Sequence, residues 1–433
     1  MATQTLLTPT MIAREALRLL TNNLVMGKLV YRDYETEFPG MPKKGGSVQI
    51  RKPVKFKVAK TRVRSTKTIT EQYITLNVAT QAHVSWNFFS VDLTLTIEEY
   101  SERYIRPAAA ALANTVDADL CALYDDIPNS VYESTGFVTP HTFFVLGSAM
   151  QKMDEEAVPP DDRVIVFNPA AHWSMANALS NWNFKEGGEQ ALRKGFLGRI
   201  ANAEIFMDQN IKSWTYGNIG TDTSEYAAAS IQVASSATSA AGGGLPAAAT
   251  GINVTGNQHI LMQGFPHEST VAIPVGGVFT IATCYAVNPM SGESIGTLRQ
   301  FVVTTAVDAT ATTAGGGIAD VWFSPELVHT GPYKTVDTIP ALGSKMNVMG
   351  TGGKFKQYPQ NLAFHRNAFA LCMVPLVVPD GVWSATASED GYSCRVVKDY
   401  DIDADSEIIR LDILYGVKTI YPELAVRVWG AAV

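Results

Sequence analysis

Hydrophobic and polar positions along this chain fall into three regimes: a helical start, a long alternating stretch, and strand-like runs around a charge-poor middle. Ile12, Ala16, Leu20 and Leu24 recur at helical spacing. Thr8 can cap the segment and Pro9 suits a first turn, so the pattern predicts an amphipathic helix through about Val25. Next, Val48, Ile50, Val54, Phe56 and Val58 alternate with polar or basic residues. Ile74, Leu76, Val78, Ala82, Val84, Trp86 and Phe88 then alternate with Thr75, Asn77, Gln81, His83, Ser85 and Asn87. A period of two over such lengths predicts two long strands, each with one buried face. They flank a polar connection at 59–73, so the simplest reading is a long two-stranded hairpin.

Helical spacing returns at 94–105. Pro107 then suits the first turn of a longer helix reaching about Tyr124, with Leu112, Val116, Leu120 and Leu123 as its buried stripe and Asp117 and Asp119 off it. Residues 140–211 read as mixed α/β: a helix around 143–153, a strand at 164–167, a helix started by Asn168-Pro169, and a strand at Ala203–Met207. Between 226 and 307 the only charged residues are Glu268, Glu293 and Arg299. Strand-like runs at Val278–Val287 and 300–307 lie inside this stretch. We expect a separate β module there, inserted into another domain and ending near Gly352, with its own core and its two ends close together. Its glycine runs at 242–244 and 315–317 are expected in loops, outside any sheet. Strands resume at 363–378, 392–400, 406–415 and 423–429.

A chain of 433 residues exceeds one ordinary core of about 100–200 residues, so two or three domains are expected. Hydrophobic residues make up 46% and charged residues 17%, a deficit of charge that a self-associating surface or an enzyme with a large core would each produce. The net charge of −7 argues against a protein that holds nucleic acid by its backbone. That charge is unevenly spread. Lys43, Lys44, Arg51, Lys52, Lys55, Lys57, Lys60, Arg62, Arg64 and Lys67 fall within 43–67 with no acidic residue among them. A cationic arm on an anionic body suits docking on a neighbouring copy. The same block also reads as a solvated hairpin kept from edge-to-edge pairing by its lysines, or as a DNA contact. Cys121, Cys284, Cys372 and Cys394 are widely spaced without a CxxC pair, which disfavours disulfides and a cysteine zinc site and fits a reducing cytoplasm. The first ten residues lack the layout of a signal peptide. The longest apolar run, 368–378, contains Pro375 and is too short to span a bilayer. A soluble, unexported chain with no membrane partner is expected.

Candidate chemistry is thin. Gly350-Thr351-Gly352-Gly353-Lys354 departs from a phosphate loop at Val348 and Phe355, and reads as a linker. Asp401, Asp403, Asp405, Glu407 and Asp412 echo a calcium loop, but Ser406 replaces its glycine, so a solvated acidic turn is the expectation. The seven histidines show no zinc spacing, and His141, His172 and His365 lie near aromatic residues as packed side chains. Asn253-Val254-Thr255 is a sequon in a chain that nothing exports. No catalytic residue, cofactor or metal site is expected, and the chain is not read as an enzyme.

Several stretches are similar to one family. They are Leu76-Asn77-Val78 through Asn87-Phe88-Phe89, Leu112-Ala113-Asn114 within 107–120, Phe167-Asn168-Pro169 with Gly198-Arg199-Ile200, and Arg410-Leu411-Asp412-Ile413-Leu414-Tyr415-Gly416-Val417 leading to Pro422-Glu423-Leu424-Ala425-Val426. Their order and spacing over nearly the whole chain resemble the major capsid protein of short-tailed phages of the P-twenty-two type, among tailed double-stranded DNA phages. The resemblance implies an α+β, HK97-like fold with an inserted all-β domain. It divides the chain into an N-terminal arm (1–42), an extended hairpin loop lying across the adjacent subunit (43–90), a spine helix of the peripheral domain (91–126), an axial α/β region (127–225), the insertion (226–357) and closing strands of the peripheral and axial sheets (358–433). The ten basic residues would then make contact between subunits. The implied function is self-assembly, as hexamers and pentamers, into an icosahedral shell around packaged DNA that is confined and not read. Scaffolding protein and portal are implied partners, with assembly in the host bacterial cytoplasm and the virion as destination. An encapsulin-type cage of the same fold, or a β-rich surface-binding or hydrolytic phage protein, are the alternatives.

Overall fold

A computed structural model of the chain describes residues 9–34, 46–56, 58, 62, 71–89, 101–133, 139–180, 198–219, 231–234, 258–265, 272–308, 317–350, 355–379, 381–401 and 406–430. Helices and strands are mixed in an α+β arrangement. The chain divides into two units, Met1–Pro53 with Glu71–Cys121 and Phe369–Ile420, and Val54–Thr70 with Ala122–Ala368 and Tyr421–Val433.

In the first unit, helix α1 (Pro9–Asn23) buries Ile12, Ala13, Ala16, Leu17 and Leu20, as its spacing predicts. The one-turn helix α2 (Met26–Leu29) follows. Helix α3 (Arg106–Ala122) is preceded by a π-helical turn, Ser101–Ile105. Leu112, Val116 and Leu120 of α3 are buried, and Leu123 is half-buried beyond its end. The expected segment at 94–105 lies outside the described residues apart from that turn. The sheet runs β17 (Phe369–Met373), β20 (Ser406–Thr419), β19 (Tyr392–Asp401), β18 (Trp383–Glu389), and α1 packs on β18 and β19.

The alternating stretch does not make one long hairpin. Strand β1 (Ser47–Arg51) pairs with β2 (Tyr73–Asn77) from Ser47↔Asn77 to Arg51↔Tyr73. After a break at Val78 and Ala79 the chain resumes as β3 (Thr80–Phe89), which joins β20 from Ser406↔Phe89 to Tyr415↔Thr80. A single alternating pattern thus serves two sheets in turn. Gly416 accounts for the change of partner: a Cβ there would sit 2.2 Å from the Asn77 carbonyl oxygen, so only glycine lets the chain cross β20 at this point. The first strand also ends earlier than its alternation predicts. Phe56 is 75% and Val58 84% exposed, while Val54 is half-buried.

In the second unit, one sheet is ordered β4 (Ser130–Tyr132), β21 (Ala425–Trp429), β16 (Asn361–His365), β5 (Arg163–Phe167), β7 (Ala203–Met207), β6 (Arg199–Ile200). Helices α4 (Phe143–Glu155) and α5 (Pro169–Ser180) share its core, where Leu146, Met153, Ile165, Phe167, Met175, Val426 and Val428 pack together. Asn168 starts α5 as the sequence predicts: its Oδ1 accepts the Ala171 N–H at 2.9 Å, with Pro169 in the first turn. The expected strand at 363–378 divides into β16 and β17 at a 3-10 turn, Arg366–Ala368.

The charge-poor stretch forms a second six-stranded sheet, ordered β14 (Met346–Val348), β11 (Val278–Val287), β12 (Ser294–Val303), β13 (Gly317–Ser324), β10 (Gln258–Phe265), β9 (Gln232–Val233). Phe279, Phe301 and Phe323 meet at 5.2–5.8 Å between ring centres. Just outside this stretch, β8 (Ser213–Thr215) pairs antiparallel with β15 (Gln357–Pro359), so the outgoing and returning chains run side by side. Two expectations need correcting here. The strand expected at 300–307 begins at Ser294 and ends at Val303. Gly317 is not in a loop: it opens β13 and pairs with Phe265, next to a register shift in β10, where a residue without a side chain suits the irregular ladder. The run at 242–244 and Gly315 and Gly316 lie outside the described residues.

Candidate interaction surface and buried ionic clusters

Four of the ten basic residues within 43–67 lie in the described part: Arg51, Lys52, Lys55 and Arg62. Lys43, Lys44, Lys57, Lys60, Arg64 and Lys67 fall outside it. Arg51, Lys55 and Arg62 are exposed and Lys52 is half-buried. Arg51 Nη1 stands 3.5 Å from a Glu71 carboxylate oxygen, with both side chains largely in solvent; such a pair contributes at most about 1 kcal/mol. The exposed Phe56 and Val58 lie among these cations in sequence. Apolar side chains among cationic ones suit a contact whose strength falls as salt rises.

Of the acidic residues at 401–412 that spacing places in a solvated turn, Asp412 departs from the expectation. Asp412 is fully buried in β20, where it accepts hydrogen bonds from Arg395 Nη2 at 2.6 Å and from Arg410 Nε at 2.6 Å. It is an internal counter-ion, held inside the sheet by the strand's alternation. The burial of Cys394, with the Asp412 charge as a lesser cause, pushes that thiol up to about 12. Asp401 and Ser406 face each other across the β19–β20 ladder, while Asp403 and Asp405 lie outside the described residues. Among the described residues no group of three histidines, cysteines or carboxylates is placed to hold a metal ion. The four cysteines are buried and none is joined in a disulfide. His172 and His365 are buried, and burial lowers the His365 pKa.

Asp117 is a second departure. The helical stripe places it off the buried face, yet it is 2% exposed. Its carboxylate accepts the backbone N–H groups of Val25 at 2.7 Å and Gly27 at 2.9 Å. Two charge-assisted hydrogen bonds satisfy donors at the start of α2 that its own backbone cannot. Tyr392 donates from its hydroxyl to the Gly27 carbonyl at 3.0 Å, and Arg32 stacks over its ring at 4.6 Å. Burial pushes the Tyr392 hydroxyl up to about 12. No local signal in the sequence marks Asp117, because its partners lie some ninety residues away.

The second unit holds its own buried ions. Arg427, in β21, donates from Nη1 to the Gly276 carbonyl at 2.8 Å and lies 5.7 Å over the Tyr124 ring. Burial lowers its pKa to about 10, opposed by Tyr124 and Asp125. Burial likewise raises Asp125 to about 6. Gly276 has φ +79, and a Cβ on it would approach Asp125 Oδ1 to 2.2 Å, so backbone shape and space both require glycine there. Arg299 forms a buried ion pair with Glu156. Asp154 is tied to Arg163 at 2.7 Å and Glu155 to Lys152 at 3.3 Å, so the carboxylates along the end of α4 are engaged in ion pairs.

Comparison with known proteins follows the same lines. The sequence model of the P22 coat protein (gene protein 5) matches residues 1–430. A major capsid protein of Acyrthosiphon pisum secondary endosymbiont phage 1 is 23% identical over 176 residues, covering 40% of this chain and 41% of that relative. The match therefore spans less than half of the relative's length. Among solved structures, one from Mycobacterium phage Che8 aligns over 94% of this chain and 90% of its own, at 16% identity and a TM-score of 0.47. The capsid of Ralstonia phage GP4 aligns over 90% of this chain and 85% of its own, at 9% identity and a TM-score of 0.44.

Proposed function

The chain belongs to the P22 coat protein family, and on that premise we propose that it is the major capsid subunit of a tailed double-stranded DNA phage, which acts by assembling with copies of itself into an icosahedral shell. One observation carries this reading: the family match runs from residue 1 to residue 430, nearly the whole of the chain. The domain scheme implied by the family follows from it. Residues 1–42 serve as the N-terminal arm, 43–90 hold the extended loop, 91–126 the spine helix, 127–225 the axial region, 226–357 the insertion, and 358–433 the closing strands. The self-contained sheet between β9 and β14, and the pairing of β8 with β15, support treating the insertion as a module.

The ten basic residues of 43–67 are the contact we assign between subunits. The rest of the chain carries a large negative balance, which exposed Lys55 and Arg62, with Arg51 only weakly paired to Glu71, are placed to meet on a neighbour. Many weak contacts of this kind keep early association reversible while making closure cooperative. DNA is confined by the shell without being read, scaffolding and portal proteins complete assembly, and the work takes place in the host bacterial cytoplasm. Electron microscopy of the purified chain, alone and with its scaffolding partner, tests the reading. Closed shells built from hexamers and pentamers are the expected outcome. A chain that stays dispersed under every assembly condition, or that loads protein cargo instead of DNA, would overturn it.

A further inference from the structure

Among the described residues, strand β4 is the outermost strand of its sheet. On its inner side it runs parallel to β21, with Ser130 opposite Arg427 and Tyr132 opposite Trp429. The Arg427 N–H donates to the Asn129 carbonyl at 2.9 Å, and the Glu133 N–H to the Trp429 carbonyl at 3.0 Å. Alternation along a strand then turns the backbone groups of Ser130 and Tyr132 outward. An outer edge with free donors and acceptors is a template for any extended segment, including one from a second copy of the chain.

Gln300, on β12, occupies that edge. The Ser130 N–H donates to Gln300 Oε1 at 2.7 Å, and Gln300 Nε2 donates to the Ser130 carbonyl at 2.8 Å. One side-chain amide thus takes both ladder groups of a single edge residue, as the backbone of a neighbouring strand would. Met349 Sδ backs the contact, 3.3 Å from both Ser130 Oγ and Gln300 Nε2. The adjacent Arg299 makes its buried ion pair with Glu156 at the end of α4. Separating that pair would leave an uncompensated buried charge, so it resists lifting of β12. A module attached only by its two connecting strands would need neither contact.

We propose that the charge-poor sheet acts as an edge guard: Gln300 denies the Ser130–Tyr132 edge to strands of other copies while the subunit is free, and the Arg299–Glu156 pair holds the guard in place. The role goes beyond the capsid reading and does not depend on it, because it concerns the unassembled chain.

The test is Gln300→Ala in the full-length chain, which removes the amide and keeps the β12 backbone. Hydrogen exchange at the Ser130 amide is expected to quicken about tenfold or more, as suits loss of a protecting hydrogen bond. Sedimentation of the free subunit is expected to show oligomers that grow with concentration and carry the infrared signature of intermolecular strands. Unchanged exchange at Ser130 would overturn the proposal. So would faster exchange in a chain that stays monomeric. If Gln300→Ala raises exchange throughout the unit, Gln300→Met keeps the length and packing without the amide, and its outcomes are read the same way.

Discussion

Asp125 is the residue whose chemistry responds most directly to solution conditions. Its folded pKa stands near 6 because burial disfavours its charged form. A raised carboxyl pKa favours the fold fully below its ordinary value, and this contribution is lost as pH rises through about 6. Asp125→Asn removes the ionisation while keeping the shape. The variant should therefore gain stability relative to the parent as pH rises from 4.5 to 7.5, by up to about 1 kcal/mol once partial exposure is discounted. Melting temperatures at the two pH values check this, and an equal loss at both would sink it. The lesson of Asp117 and Asp412 belongs to the same scale. Local spacing puts Asp117 off a buried stripe and Asp412 in an acidic turn, and both are buried because backbone N–H groups or arginines meet them. Hydrophobic period reports the side of an element on which a residue lies, and does not report what comes to meet it.

Among the elements, those whose identity is set by local chemistry were legible. Pro9 and the stripe of α1, the Asn168 cap of α5, and the apolar runs of β7 and β11 each carry their own signal. Strand β18 was missed because Trp383-Ser384-Ala385-Thr386-Ala387-Ser388-Glu389 is small and polar, and its pairing with β19 is what orders it. The long alternating stretch was read as one hairpin because alternation cannot reveal a change of partner, and only the crossing at Gly416 does so. The basic block is legible as a run of charge, and the contact proposed for it is tested by assembly rather than by its own fold. Reversing Arg62 and Arg64 to Glu should leave secondary structure and melting temperature unchanged and slow shell formation several-fold. Raising salt should weaken assembly of the parent chain, since exposed charges are screened beyond about 8–10 Å. Light scattering during assembly reads both effects. Normal shells from the double variant would remove the loop from the contact.

For the whole molecule, the family and its α+β architecture could be anticipated because motif order spans nearly the full chain, whereas the ties between the two sheets of the second unit could not. Arg299, Gln300 and Gly276 lie in a stretch whose composition suggests independence, yet each makes a polar contact with the body. Excising 217–354 and joining the ends with a short linker should therefore yield a chain that keeps the helical content of the body but melts several degrees lower and aggregates. Circular dichroism and a melting curve decide. Retention of full stability would mean that these ties contribute nothing.

The paired β8 and β15 carry one more consequence, for the order of events in folding. Without them, bringing β16 beside β5 must close a loop of about 190 residues, from Phe167 to Asn361. Once they have paired, the excursion between them is shorted out, and the remaining loop is about 50 residues, mostly the stretch from β5 to β8. On logarithmic loop entropy the difference is roughly 1 kcal/mol. That is enough to slow β16–β5 docking by roughly five- to tenfold wherever it precedes the pairing. The fast route is one in which the detour closes first, and the body then folds around it as though the chain were some 140 residues shorter.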